Sequence, residues 1–306
     1  MKKAFLLATV LAAPLWGMAQ KSNLDAAQLL RDVQVLSADS MQGRLSGSEG
    51  NALAQDYILG RFKELGLKPY NGDFKQHFRI DAKRVQVDKA TNLVGYIPGK
   101  SGKAIVVTAH YDHVGQRNGD IYNGADDNAS GIGALLAAIA HFAKHPPKHT
   151  IVFAALDGEE LGLQGARAFV ENPPLPLQDI LLNVNMDMLG INDKGELYAS
   201  GTYHYPALKP YLQQVKPRPN AKLVLGHDQP EQGHDDWTGQ SDHFRFHERG
   251  IPYVYFGVED HPYYHKPTDD YEQVNKAFYP DAAALVIDFL ERIDGKLERL
   301  PQKTQP

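Results

Sequence analysis

From Thr91 onward the chain alternates between short apolar runs and longer apolar stretches of helical periodicity. The runs at 104–109 (AIVVTA), 150–156 (TIVFAAL), 180–184 and 251–256 are too short for solitary helices and rich in β-branched residues, so they predict buried strands. Between the first two, 131–144 (GIGALLAAIAHFAK) predicts a helix stopped by Pro146-Pro147. Further helices are predicted over 161–170 and 281–293. Upstream, Leu53, Tyr57, Ile58, Phe62 and Leu65 recur at helical spacing and predict an amphipathic helix over 52–65, ending at Gly66. Strands alternating with helices imply an α/β fold, a three-layer sandwich whose mixed, mostly parallel central sheet is covered by helices on both faces.

Composition narrows the chemistry. The 306 residues are 42% hydrophobic and 23% charged, with formal net charge −5 and no cysteine. That excludes a disulfide scaffold, a cysteine nucleophile and thiolate-bound metal, leaving His, Asp and Glu as the strong metal ligands. Mild acidity argues against nucleic acid as a partner. Residues 1–19 are different in kind: Lys2 and Lys3 precede an apolar run from 4 to 16, and Gly17-Met18-Ala19 offers the small residues a signal peptidase reads. This predicts a secretory signal and an exported protein, periplasmic or secreted. The run is shorter than the roughly 20 residues that span a bilayer, so no stable membrane anchor is expected after cleavage. With no linker, low-complexity block or internal repeat, 20–299 is expected to form a single domain, followed by a disordered tail at 300–306. Oligomeric state leaves no trace in the sequence.

In a parallel sheet, ligands collect at the carboxyl ends of the strands. Three predicted strands run straight into metal-type side chains: the first into His110-Tyr111-Asp112, the second into Asp157-Gly158-Glu159-Glu160, and the third into Asn185-Met186-Asp187. The acidic loop GADDNASG (124–131) precedes the long helix, and His265 sits in the Tyr/His-rich loop after the fourth strand. Taken singly, these residues have plainer roles. His110 suits a hydrogen-bonded histidine at a strand end, Asp127 an N-cap, and Glu159 and Glu160 the opening turn of a helix, where acids complement the dipole. Asp187 is harder to explain away, because a carboxylate among buried strand residues needs a cation or several donors. Together, two histidines and three carboxylates suit zinc, with one carboxylate able to bridge two ions as in many hydrolases. If Glu159 and Glu160 open one helix, their side chains point about 100° apart. One then ligates while the other is left as a base.

These motifs resemble those of the M28 family of zinc peptidases, the co-catalytic bacterial aminopeptidases. The matching segments are His110-Tyr111-Asp112, GADDNASG (124–131), DGEELGLQGA (157–166), Asn185-Met186-Asp187, Ser241-Asp242-His243, and His265 with Pro267-Thr268-Asp269. GRLSGSEG (43–50) and the helix after it are similar as well. The resemblance implies a zinc-exopeptidase-like fold and two Zn²⁺ per chain. Asp127 would bridge the ions, His110 and Asp187 would complete one, and Glu160 and His265 the other. Glu159 would be the general base, and Asp112 would hold the free ring nitrogen of His110. The implied activity is an exported aminopeptidase acting on peptides. A single-zinc glutaminyl cyclase, or a carboxypeptidase or dipeptidase of the same fold, are the alternatives. Arg44 and Arg245 are the arginines on offer to a substrate carboxylate, and Trp237, Phe244, Tyr263 and Tyr264 would wall the pocket. The chain departs from the family pattern at Thr238, where some members carry a tyrosine that assists the oxyanion; Tyr263 or Tyr264 would have to substitute. Asn128 follows Asp127 in place of a third acid, a change expected to be harmless.

Overall fold

The computed structural model describes residues 24–82 and 85–297, so the secretory signal expected at 1–19 and the tail expected at 300–306 lie outside the described residues. Helices α1 (Ala26–Leu36) and α2 (Glu49–Glu64) lead into strands β1 (Lys68–Pro69), β2 (Lys75–Ala82), β3 (Val85–Ile97) and β4 (Ala104–His110). A small hairpin, β5 (Gly115–Arg117) and β6 (Asp120–Tyr122), precedes α3 (Gly131–Lys144), β7 (Thr150–Leu156), α4 (Gln164–Glu171) and β8 (Ile180–Met186). Then follow β9 (Glu196–Ser200), α5 (Lys209–Gln213), β10 (Lys222–Leu225), α6 (His243–Glu248), β11 (Tyr253–Gly257) and α7 (Phe278–Asp294). Among the described residues, nine strands form one sheet in the order β1-β3-β7-β4-β8-β11-β9-β10, with β2 against β3. The central strands β7, β4, β8 and β11 are parallel, and antiparallel pairs β3–β7 and β11–β9 flank them. All four central strands therefore end on the same edge of the sheet.

Alternation along these strands builds two cores. Ile105, Val107 and Ala109 of β4 and Ile151, Phe153 and Ala155 of β7 join the core that holds Val33, Phe62, Leu135 and Phe289 of α1, α2, α3 and α7. Val106, Val152, Ala154 and Leu156 face the opposite way, onto Phe169 of α4 and Phe246 of α6. Helices thus cover both faces, as the strand and helix alternation predicts. With both faces covered, β4 and β7 read as continuous apolar runs.

Element boundaries move in ways that bear on the site. Helix α2 begins at Glu49 rather than 52, because the Ser48 side chain accepts the Asn51 N–H and caps it. β8 runs on to Met186, which delivers Asp187 at the strand end. Helix α4 begins at Gln164 rather than 161, so Glu159 and Glu160 lie in the preceding loop and not on a helix opening. That loop closes on itself through bonds from the Gly162 and Leu163 N–H groups to the Glu159 carbonyl (2.8 and 2.9 Å).

Arg44 is also placed differently from the role the sequence offers it. It is 1% exposed. Its Nε donates to Tyr111 O (2.8 Å), Nη1 to Leu36 O (2.5 Å) and Asn123 O (2.6 Å), and Nη2 to Gly124 O (2.9 Å). It stitches together the segments on either side of the site and cannot reach a substrate carboxylate. Replacing it with Met is expected to lower stability by at least about 3 kcal/mol, since several buried carbonyls lose a charged donor at once. Denaturant unfolding checks this, the midpoint falling while the slope stays unchanged.

Candidate metal centre

The loops after β4, β7, β8 and β11 and the turn before α3 converge at the carboxyl edge of the sheet. His110, the last residue of β4, is buried, and its Nε2 lies 3.2 Å from Asp187 Oδ1 and 3.4 Å from Asp127 Oδ1. Its Nδ1 faces the Asp112 carbonyl at 3.1 Å and the Asp112 carboxylate at 3.6 Å. Donation from Nδ1–H to that carbonyl sets the tautomer and leaves the Nε2 lone pair free. The Asp112 carboxylate also accepts the backbone N–H groups of Glu159 (3.1 Å) and Glu160 (3.3 Å), fixing the loop that carries both glutamates.

Asp127 spans the centre. Its Oδ1 faces His110, and its Oδ2 lies 3.1 Å from His265 Nε2. It does not cap α3; its backbone is extended (φ −101°, ψ 92°). The N–H groups of Asp126 and Asp127 donate to the Asp269 carboxylate (3.0 and 3.1 Å), so the segment just after His265 holds the turn in place. Asn128 accepts from the Gly131 N–H (2.9 Å) and donates from Nδ2 to Met186 O (3.0 Å). A carboxylate there would lack that donor. Gly124 opens the turn at φ +57°, where an added Cβ would lie 2.0 Å from Asp127 O and 2.5 Å from the His113 ring. Only glycine fits.

Asp187 is held from the other side, its Oδ2 accepting from Ser241 Oγ (2.7 Å), which in turn accepts from Asn185 Nδ2 (2.9 Å). Ser241 belongs to the Ser-Asp-His segment. Glu160 Oε1 lies 3.3 Å from His265 Nε2. Glu159 groups with His110 and Asp187, their potential ligand atoms within 4.8 Å of one another. A second such group contains a residue that the sequence reasoning missed: His113, with Asp127 and Glu160. His113 Nδ1 lies 2.8 Å from Glu160 Oε1 and 3.7 Å from Asp127 Oδ2. The available signal was its place three residues after His110, in a chain with no cysteine to share metal duty.

Burial works on all of these acids. It pushes Glu159 well above the usual carboxylate range, against the pull of His110 and with added push from Asp187 and Asp242. Burial likewise raises Asp127, opposed by His113 and reinforced by Glu160, and it pushes Asp242 up to about 7. Burial also acts on Glu160, but the adjoining imidazoles of His113 and His265 outweigh it and hold this carboxyl well below the usual range. Clustered buried acids of this kind need a cation or several donors. His113 Nε2 is buried without a hydrogen-bond partner. Metal–ligand bonds of about 2.0–2.1 Å place the ligands of a tetrahedral zinc about 3.3 Å apart. The separations of 3.2 and 3.4 Å around His110 and of 3.1 and 3.3 Å around His265 fit that requirement.

The remaining sequence candidates lie at the margins. Thr238 donates to Asp236 Oδ1 and contacts His204 Nε2 (2.5 and 3.0 Å). Tyr264 stacks on His265 with ring centroids 4.1 Å apart. Trp237 stacks on His227 at 3.8 Å and packs edge-on against Tyr198 and Tyr255. Arg245 is engaged by Glu248 (2.9 Å) and the Gly162 carbonyl (3.1 Å).

The sequence profile described as Peptidase family M28 matches residues 92–290. Aminopeptidase YwaD of Bacillus subtilis is 28% identical over 72% of this chain and 49% of its own length. The structure of BSAP, a zinc aminopeptidase from Bacillus subtilis, superposes with a TM-score of 0.70 at 17% identity, covering 93% of this chain and 99% of that one. A glutaminyl cyclase structure from Bacteroides thetaiotaomicron gives a TM-score of 0.70 at 18% identity, covering 88% and 98%. At such identities the structural likenesses speak to the fold. The chain spans about half the length, or less, of the first curated relatives it matches.

Proposed function

The chain belongs to peptidase family M28, and we propose that it is a metallopeptidase, an exported dizinc aminopeptidase that removes N-terminal residues from peptides. The observation that carries this reading is that two donor sets, His110 with Asp187 and His265 with Glu160, meet at the two oxygens of one carboxylate, Asp127. When bound, the two ions lower the pKa of water towards about 7 and polarise the scissile carbonyl. The chain supplies the rest. Glu159, its carboxyl pushed up by burial, takes a proton from the attacking water and passes it to the leaving amine. Asp112 pins the Glu159 backbone, and Ser241 and the Asp112 carbonyl orient Asp187 and His110.

Preference for the amino end is supported by the charge around the site. Both arginines that the sequence offers to a substrate carboxylate are engaged elsewhere, while the acids gathered at the site, Asp127, Glu159, Glu160 and Asp187, suit a cationic α-amine. Peptides with a free amine are expected to be cleaved about 10–100-fold faster than their N-acetylated counterparts, the size of one lost charge-assisted contact. Equal rates would overturn the aminopeptidase reading, and release of residues from the carboxyl end would favour a carboxypeptidase. Export is supported by the sequence of residues 1–19, and among the described residues no helix is long and apolar enough to cross a membrane.

A further inference from the structure

We propose that His113 is a fourth protein ligand, through Nδ1, of the metal position formed by Asp127, Glu160 and His265. The inference rests on the dizinc reading and deepens it. Beyond β4 the chain keeps one more ladder bond, from the Tyr111 N–H to Leu156 O (2.9 Å), and then turns so that the His113 N–H approaches Arg44 O (3.4 Å). This brings the His113 ring to the same carboxylates that His265 reaches, with the two ring centroids 5.8 Å apart and tilted by 60°. Of the six separations among these donors, the four between a histidine and a carboxylate are 2.8 Å (His113–Glu160), 3.7 Å (His113–Asp127), 3.1 Å (His265–Asp127) and 3.3 Å (His265–Glu160). They bracket the spacing of about 3.3 Å that a tetrahedral zinc imposes on its ligands.

The environment of the ring points the same way. His113 is fully buried, with Nδ1 2.8 Å from Glu160 Oε1 and Nε2 without a hydrogen-bond partner. A buried imidazole with an unpartnered nitrogen is uncommon. Nor can the ring swing away, since Gly124 packs so closely against it that a Cβ would lie 2.5 Å from His113 Cδ2. His265 is the opposite case, with a side chain 42% exposed. The position therefore keeps three buried donors, His113, Asp127 and Glu160, independently of His265. With four protein donors this position holds its ion more firmly than the His110–Asp187 position, which has three. One ion is then held tightly and the other exchanges.

The competing role for His113 is a hydrogen-bond donor that merely orients Glu160. His113→Asn separates the two, because an asparagine amide reaches about where Nδ1 sits and still donates to Glu160, but is a poor zinc ligand. Metal-free protein titrated with Zn²⁺ against a chromophoric chelator is expected to take up two ions in wild type. In His113→Asn, affinity for the tighter ion is expected to fall by more than about 100-fold, beyond the 10–100-fold typical of losing an outer partner. Unchanged affinity for both ions in the variant overturns the assignment and leaves the dizinc reading standing. A measurement on wild type alone covers a variant that fails to fold: the Co²⁺-substituted enzyme is expected to show two solvent-protected, paramagnetically shifted imidazole N–H signals, from buried His110 and His113. A single protected signal overturns the assignment. Uptake of only one ion by wild type overturns the dizinc reading instead, and the affinity of His113→Asn for that ion then decides the role of His113.

Discussion

Glu159→Gln is expected to lower kcat on a free-amine peptide by about 10²–10⁴-fold, the range for loss of a general base, with KM and bound metal unchanged. The substitution keeps the size of the side chain and leaves the backbone N–H in its bond to Asp112 (3.1 Å), so the loop retains its course. What it removes is the proton acceptor. Burial raises this carboxyl well above its ordinary range, which brings its proton affinity closer to that of the groups it must serve at neutral pH. Metal analysis carried out beside the kinetics makes the test sharp, because Glu159 also groups with His110 and Asp187 in an arrangement that suits a ligand. Full turnover in the variant refutes the base. Loss of one ion together with activity reassigns Glu159 as a ligand and leaves the base unidentified.

How much of this was legible in the sequence depended on how each residue is placed. β4 and β7 are covered on both faces, so their apolar runs located the sheet and, with it, the edge where ligands gather. His110 and Asp187 follow directly from those runs, and Asp127 from the turn before an unmistakable helix. β2, β9 and β10 carry partly exposed residues and gave no comparable signal. The β5–β6 hairpin did carry one, Asn118-Gly119 with both residues left-handed (φ 56° and 91°), but with three residues on either side it is too short to read as strands. The start of α4 was misjudged because apolar periodicity continues back through Leu161, while left-handed Gly158 and Leu163 hold 158–163 in a turn. His113 was missed for a different reason. Its approach to Glu160 depends on the chain reversing just past β4, where no periodicity extends. Arg44 shows the same limit, since its four carbonyl partners are scattered from Leu36 to Gly124.

The shared carboxylate makes a prediction whose sign reverses with metal. In metal-free protein, Asp127 is a buried acid beside Glu160 and Asp187, and its proton affinity is raised on folding, burial being the main cause. A group raised in this way binds more protons folded than unfolded, so the contribution of Asp127 to the stability of the metal-free protein falls as pH climbs above the ordinary carboxylate range, and at pH 7 its charge opposes folding. Metal-free Asp127→Asn is therefore expected to unfold at a higher temperature than metal-free wild type. Zinc reverses the order. Each ion that binds only the folded state contributes about 2.7 kcal/mol at a free concentration one hundred times its Kd, so two ions contribute about 5 kcal/mol to wild type. The variant, lacking the oxygen pair that faces both His110 and His265, is expected to lose most of that gain. Peptide hydrolysis should fall by more than about 10⁴-fold, because without the ions water keeps a pKa near 15.7 rather than about 7. Thermal unfolding of both proteins with zinc and with a chelator measures all four states. An equal zinc-induced rise in the two would mean that the donor sets act independently of Asp127, and the bridging role would fall.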